Sequence, residues 1–105
     1  MQIESSDQVQ VLGHGAFSAE DIARACGVRV TWVQERVSAG VLQVDQTLGT
    51  WRFDAATLVR ARRIARLEAT FDADPQLAAL AADLIEEVHM LRRQVRRLEA
   101  DDRGS

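Results

Sequence analysis

Leucine recurs at Leu77, Leu84, Leu91 and Leu98, and Ala81, Val88 and Val95 follow the first three of these by four positions. Apolar residues spaced 3.5 apart belong to a helix that presents a narrow seam to another helix. Leucine at d with valine at a favours two strands in a parallel coiled coil. Asp74 as cap and Pro75 at the first helical position give this helix a clean start. Residues 76–100 span roughly 37 Å as a helix, more than a small globule covers. The first half also carries Leu80 and Ile85, so it is expected to pack on its own domain. The seam through Leu84, Val88, Leu91, Val95 and Leu98 is expected to join two copies of the chain. Glu87 at g and Arg92 at the following e attract in a parallel pair, but the spacing leaves the orientation open. Residues 101–105 are expected to fray.

Upstream of that helix the pattern shortens. Residues 1–17 form an N-terminal segment, with Gln8-Val9-Gln10-Val11 alternating as a short strand would and His14 in a turn between Gly13 and Gly15. Residues 18–54 read as a winged helix-turn-helix. Ser18 caps a first helix whose opening turn holds Glu20 and Asp21, where the helix dipole favours negative charge. Ala19, Ile22, Ala23 and Cys26 share one face, and Gly27 ends the helix. A second helix, about Val30 to Ala39, turns Val33 and Val37 inward. A β-hairpin wing follows: Leu42 and Val44, a turn around Gly49, then Trp51 and Phe53 alternating with Arg52. Residues 55–74 hold a third helix, capped by Asp54, with Leu58, Ala61, Ile64, Ala65, Leu67 and Phe71 as its apolar stripe, and an Asp-Pro break. Residues 75–100 are the heptad helix. The expected class is mainly α, with a small β-hairpin wing and two helices after it.

The charge of the helix-turn-helix conflicts with its architecture. Between Ser18 and Asp54 lie Arg24, Arg29, Arg36 and Arg52 against Glu20, Asp21, Glu35, Asp45 and Asp54. Affinity for DNA is dominated by neutralised phosphates, and base contacts need phosphate anchors to position them. The unit has the wrong sign for a polyanion. Arginine concentrates instead at Arg60, Arg62, Arg63 and Arg66, and again at Arg92, Arg93, Arg96 and Arg97. The first group reads as a solvated face or a source of local ion pairs, such as Arg62 or Arg66 with nearby acids, and alternatively as a surface for an acidic partner or phosphate groups.

The chain of 105 residues, 47% hydrophobic and 28% charged, fits one folded domain or a small domain with an extended element. It contains no apolar run of membrane-spanning length, and its first residues lack a secretory pattern. The lone Cys26 rules out an internal disulfide and suits a reducing compartment, so a cytoplasmic location is expected. No cofactor, metal set or catalytic group is expected. His14 and His89 lie far apart, and Cys26 has no partner at ligand spacing. Gly13-His14-Gly15 is too short for a phosphate loop. Adjacent Glu86 and Glu87 point in different directions. Enzyme activity is not expected.

The order of these elements resembles the bacterial chaperone-modulator family, whose helix-turn-helix is similar to that of the MerR transcription regulators. The stretch Trp51-Arg52-Phe53-Asp54, an arginine-rich helix, an Asp-Pro break and a leucine-rich helix with Glu86-Glu87 carry the resemblance. It implies a partner, the J-domain of a DnaJ-like, nucleoid-associated co-chaperone, whose co-chaperone action and DNA binding are inhibited. J-domains carry a basic helix, so Glu20, Asp21, Glu35 and Asp45 are the candidate acidic face, with opposite charge steering the encounter. Trp32 reads either as core or as an aromatic anchor at that interface. Departures from a MerR-type reader point the same way. Gln34, Glu35 and Arg36 stand where such readers place arginine and aromatic residues, and the wing offers Asp45, Gln46 and Thr47 beside Arg52. The rival reading is a MerR-type DNA-binding transcriptional regulator.

Overall fold

The computed structural model describes residues 15–46 and 49–104. The alternating segment Gln8–Val11 and His14 lie outside them. Four helices follow one another: α1 Ala19–Cys26, α2 Val30–Ser38, α3 Ala55–Phe71 and α4 Pro75–Gly104.

Three of the four helices begin at a side-chain cap, whereas α2 starts after Arg29 without one. The Ser18 hydroxyl accepts from the Asp21 backbone N–H at 3.1 Å, while the Asp21 carboxylate accepts from the Ser18 N–H at 3.0 Å. This reciprocal capping box satisfies two donors that a helix start otherwise leaves orphaned. Asp54 accepts from the Thr57 N–H at 2.7 Å, and Asp74 accepts from the Gln76 and Leu77 N–H groups at 2.9 and 3.2 Å. Gly27 closes α1 with φ of 69°, a conformation that costs glycine little.

The wing is reduced. Where the sequence predicts a two-stranded hairpin, the described residues hold one antiparallel bridge, Asp45 with Arg52, and no strand. Arg52 and Asp45 exchange backbone hydrogen bonds at 2.8 and 2.9 Å, and the next residue turns its own pair toward Phe17, at 2.8 and 3.0 Å. The ladder stops there because Asp54, whose partner in a longer hairpin would be Gln43, is already the cap of α3. Gly15 lies against this seam at φ of 81°. A Cβ there would come within 2.8 Å of the Arg52 backbone carbon and Cβ.

The core joins Ile22 and Ala23 of α1, Val33 of α2, Val41, Leu42, Phe53, Ala61 and Ile64 of α3, and Ala78, Ala79 and Ala82 of α4. Phe53, Ile22, Leu42, Ile64 and Val33 are its largest fully buried side chains. Each contributes on the order of 1.5–3 kcal/mol through removal from water. Trp51 meets Phe53 edge-on, with ring centroids 6.3 Å apart. α1 packs on α2 and α3, and α3 packs on α4.

α4 corrects the sequence reading in two ways. Its inner face is built from Ala78, Ala79 and Ala82, not from leucine: Leu77 and Leu80 are each 55% exposed. Alanine permits a close approach of α3 and α4, and the seam one residue earlier sits about 100° around the helix, turned outward. The helix also continues to Gly104 instead of fraying after residue 100. Leu98, Glu99 and Ala100 are good helix formers, and no Gly or Pro intervenes before Gly104. The tail of the α3 stripe fails too. Phe71 is 71% exposed, since α3 ends there and Asp72 leaves it in the left-handed region.

Candidate functional site

The turn Gly27-Val28-Arg29 joins α1 to α2 and sets them against α3. The outer face of α2 carries Thr31, Gln34, Glu35 and Ser38, all exposed. Its one arginine is absent from that face. Arg36 is buried, and Nε and Nη2 donate to the two Glu68 carboxylate oxygens at 3.0 and 2.7 Å. The Trp32 indole Nε1–H donates to the same carboxylate at 2.9 Å, and the Arg36 guanidinium stacks 4.6 Å from the Trp32 ring centroid. A bidentate arginine–carboxylate pair with an aromatic lid thus pins α2 to α3. Trp32 is therefore half-buried and packed on the core, its polar edge already occupied, and is not a free anchor.

Two more arginines of the unit are also committed. The Arg52 guanidinium donates to the carbonyls of Gly15 and Ala16 at 3.2 and 2.8 Å, tying the entering chain to the wing. Arg24 pairs with Asp21 at 3.3 Å. Arg29, exposed at the start of α2, is the one arginine of the helix-turn-helix whose side chain has no ion pair or hydrogen bond among the described residues.

The candidate acidic residues do not act alike. Glu20 is exposed on α1. Asp21 belongs to the capping box, and the hydrogen bond from the Ser18 backbone N–H holds its carboxyl below the ordinary value. Glu35 stands outward, its side chain 71% exposed, with Arg36 Nη1 3.4 Å away. Asp45 is half-buried at the bridge to Arg52. Glu20 and Glu35 are thus the outward acids, while Asp21 and Asp45 are built into local structure.

The second candidate face is the α4 seam. Leu84, Val88, Leu91, Val95 and Leu98 are 59, 43, 49, 51 and 67% exposed, a continuous apolar stripe along the outer side of the helix. Large apolar side chains lined up in water are unusual for a face without a partner. Cys26 is half-buried on α1, and burial pushes its thiol up against the opposing pull of Arg62. Among the described residues no cluster of His, Cys, Asp or Glu is arranged to hold a metal. No helix among them is long and apolar enough to cross a membrane.

Sequence reasoning missed the Trp32–Arg36–Glu68 network, although a signal was present. Arg36 lies three residues after Val33, on the inward side of α2, and Glu68 is the single acidic residue of α3. Missed also were Arg60 and Arg63 as the pairing arginines of α3, where Arg62 or Arg66 was expected. Arg60 Nη1 lies 2.9 Å from Asp83 and 3.0 Å from Glu86, Arg63 lies 3.8 Å from Glu86, and Arg60 Nε donates to the Val41 carbonyl.

A family model described as a MerR HTH family regulatory protein matches residues 17–100, from the bridge residue Phe17 through most of α4. The chain belongs to the MerR helix-turn-helix family. No curated protein and no solved structure matches it. In this MerR-family chain, α1 and α2 are the helix-turn-helix, and the bridge 45–52 stands where a wing follows it.

Proposed function

We propose that this MerR-family chain is a chaperone modulator. It binds the J-domain of a DnaJ-like, nucleoid-associated co-chaperone and inhibits its co-chaperone and DNA-binding activities by occlusion. One observation carries the reading: Arg36 and Arg52 are spent on internal partners and Arg24 pairs with Asp21 at the surface, so that Arg29 alone is unpaired beside the Thr31, Gln34, Glu35 and Ser38 of the outer face of α2. Such a face offers phosphates little and can meet a basic helix, with Glu20 and Glu35 steering the encounter. The blocking is steric and electrostatic, without cofactor or covalent chemistry, in the bacterial cytoplasm. Two copies pair along the α4 seam. The test is calorimetric titration with a purified J-domain of this class at low salt. Tight binding that weakens on Glu20→Arg with Glu35→Arg supports the reading; no binding, or binding unchanged by that reversal, ends it.

Family membership favours a second reading, a DNA-binding transcriptional regulator. A dimer of this kind would recognise a two-fold operator, with affinity falling steeply as salt rises. A gel shift on upstream DNA separates the two readings.

A further inference from the structure

Among the described residues of the folded body, two arginines without an ion pair stand together on α3, apart from the isolated Arg29. Arg62 and Arg66 are exposed, one turn apart on the same side, and neither makes an ion pair among the described residues. Like charges at this spacing destabilise a helix slightly. The one acid of α3, Glu68, faces the other way, toward Arg36. Between them and α4 opens a cleft of about 350 Å³ lined by Val59, Arg62, Arg63, Arg66, Leu67 and Ile85. Val59 is 53% exposed on its rim. On the α1 side the same two arginines border a second depression of about 300 Å³, with Ala25, Cys26, Ala65 and Ala69. Two free guanidinium groups thus stand over an apolar floor, opposite in sign to the outer face of α2.

We propose that this cleft is a docking site for an acidic amphipathic helix of a partner protein. Its carboxylates, one turn apart, would pair with Arg62 and Arg66, and its apolar residues would cover Val59, Leu67 and Ile85. Bidentate guanidinium–carboxylate pairing suits arginine, and desolvation by the apolar floor strengthens it. Nucleic acid fits less well: it needs a track of cations, and a floor of Val, Leu and Ile gives a phosphate backbone nothing. The site is separate from the acidic helix-turn-helix face, and its occupancy does not depend on the chaperone-modulator reading.

The test uses the full chain and a fluorescein-labelled helical 15-residue peptide with glutamates at i and i+4 beside a leucine face. A glutamine-substituted version of the peptide and a labelled DNA duplex serve as comparators. Anisotropy is expected to show saturable binding of the acidic peptide, weakened about tenfold or more by Arg62→Glu with Arg66→Glu. Binding is also expected to weaken for the glutamine peptide and for the Val59→Glu chain. Circular dichroism checks that the variants keep their helices, as exposed positions allow. Three results overturn the proposal: equal binding by the Arg62→Glu/Arg66→Glu chain, preference for the duplex, or loss of self-association in that variant, which would assign the cleft to a second copy.

Discussion

Removing the Glu68 carboxylate tests how firmly the helix-turn-helix holds its arginine inward. Glu68→Ala deletes the acceptor of three hydrogen bonds, at 3.0 and 2.7 Å from Arg36 and 2.9 Å from Trp32. The Arg36 side chain is only 10% exposed, so its charge cannot be rehydrated without moving α2. Breaking a buried pair from one side costs roughly 3–5 kcal/mol, because the surviving charge stays buried and unpaired. Glu35, 3.4 Å from Arg36 but itself 71% exposed, remains as a partial substitute. That places the expected loss near the lower end, about 3 kcal/mol. For a domain of this size the unfolding midpoint falls by roughly 12–24 °C, from about 4–8 °C per kcal/mol. Thermal and urea unfolding followed by circular dichroism measure it. Glu68→Gln keeps an acceptor for Trp32 and is expected to lose less. Arg36→Met with Glu68→Leu removes both charges and is expected to recover most of the loss. A Glu68→Ala chain within about 1 kcal/mol of the parent would refute the argument, since that is the worth of an exposed pair.

Other outcomes follow from particular contacts. Gly15→Ala forces a Cβ at φ 81° into the Arg52 backbone 2.8 Å away and is expected to cost about 1–3 kcal/mol in urea unfolding. Ser18→Ala removes half of the capping box and is expected to cost about 1 kcal/mol by the same measurement. Because the folded-state pKa of Asp21 is depressed, its contribution is present above the ordinary carboxylate value of 3.8 and is lost as pH falls through the lower folded value. Asp21→Asn is therefore expected to flatten the acid limb of stability against pH between 3.8 and the lower folded value; an unchanged limb would count against the assignment. Leu91→Glu, at a position 49% exposed, is expected to abolish self-association in sedimentation. It should change the helical signal little, and a dimer that persists would remove the seam from the account.

Local chemistry was readable in the sequence wherever it was decided by neighbours along the chain. Ser18 with Asp21, Gly27, Asp54 with Thr57, and Asp74-Pro75 fix the starts of α1, α3 and α4 and the stop of α1 through contacts within four residues, and the structure shows those caps. The wing is shorter than its pattern suggests because alternation in Val44, Trp51 and Phe53 reports burial, whereas ladder length depends on where the next helix begins. Asp54 begins it immediately. The heptads correctly marked a helix but not the side it buries, since leucine content suggested packing on α3 while Ala78, Ala79 and Ala82 took that place. Sequence counts four arginines in the helix-turn-helix; it does not show that three of them are engaged. Arg36 needs a carboxylate 32 residues away, and Arg52 needs two carbonyls 36 and 37 residues away. Pairings across that distance depend on tertiary packing, which no local pattern carries.

The most direct test of the central claim measures duplex DNA and J-domain binding side by side, by anisotropy at physiological salt. Saturable J-domain binding is expected, with DNA held no tighter than the roughly 10⁻⁴–10⁻⁶ M of non-specific association. Nanomolar attachment to a duplex, weakening steeply with added salt while the J-domain stays unbound, would contradict it.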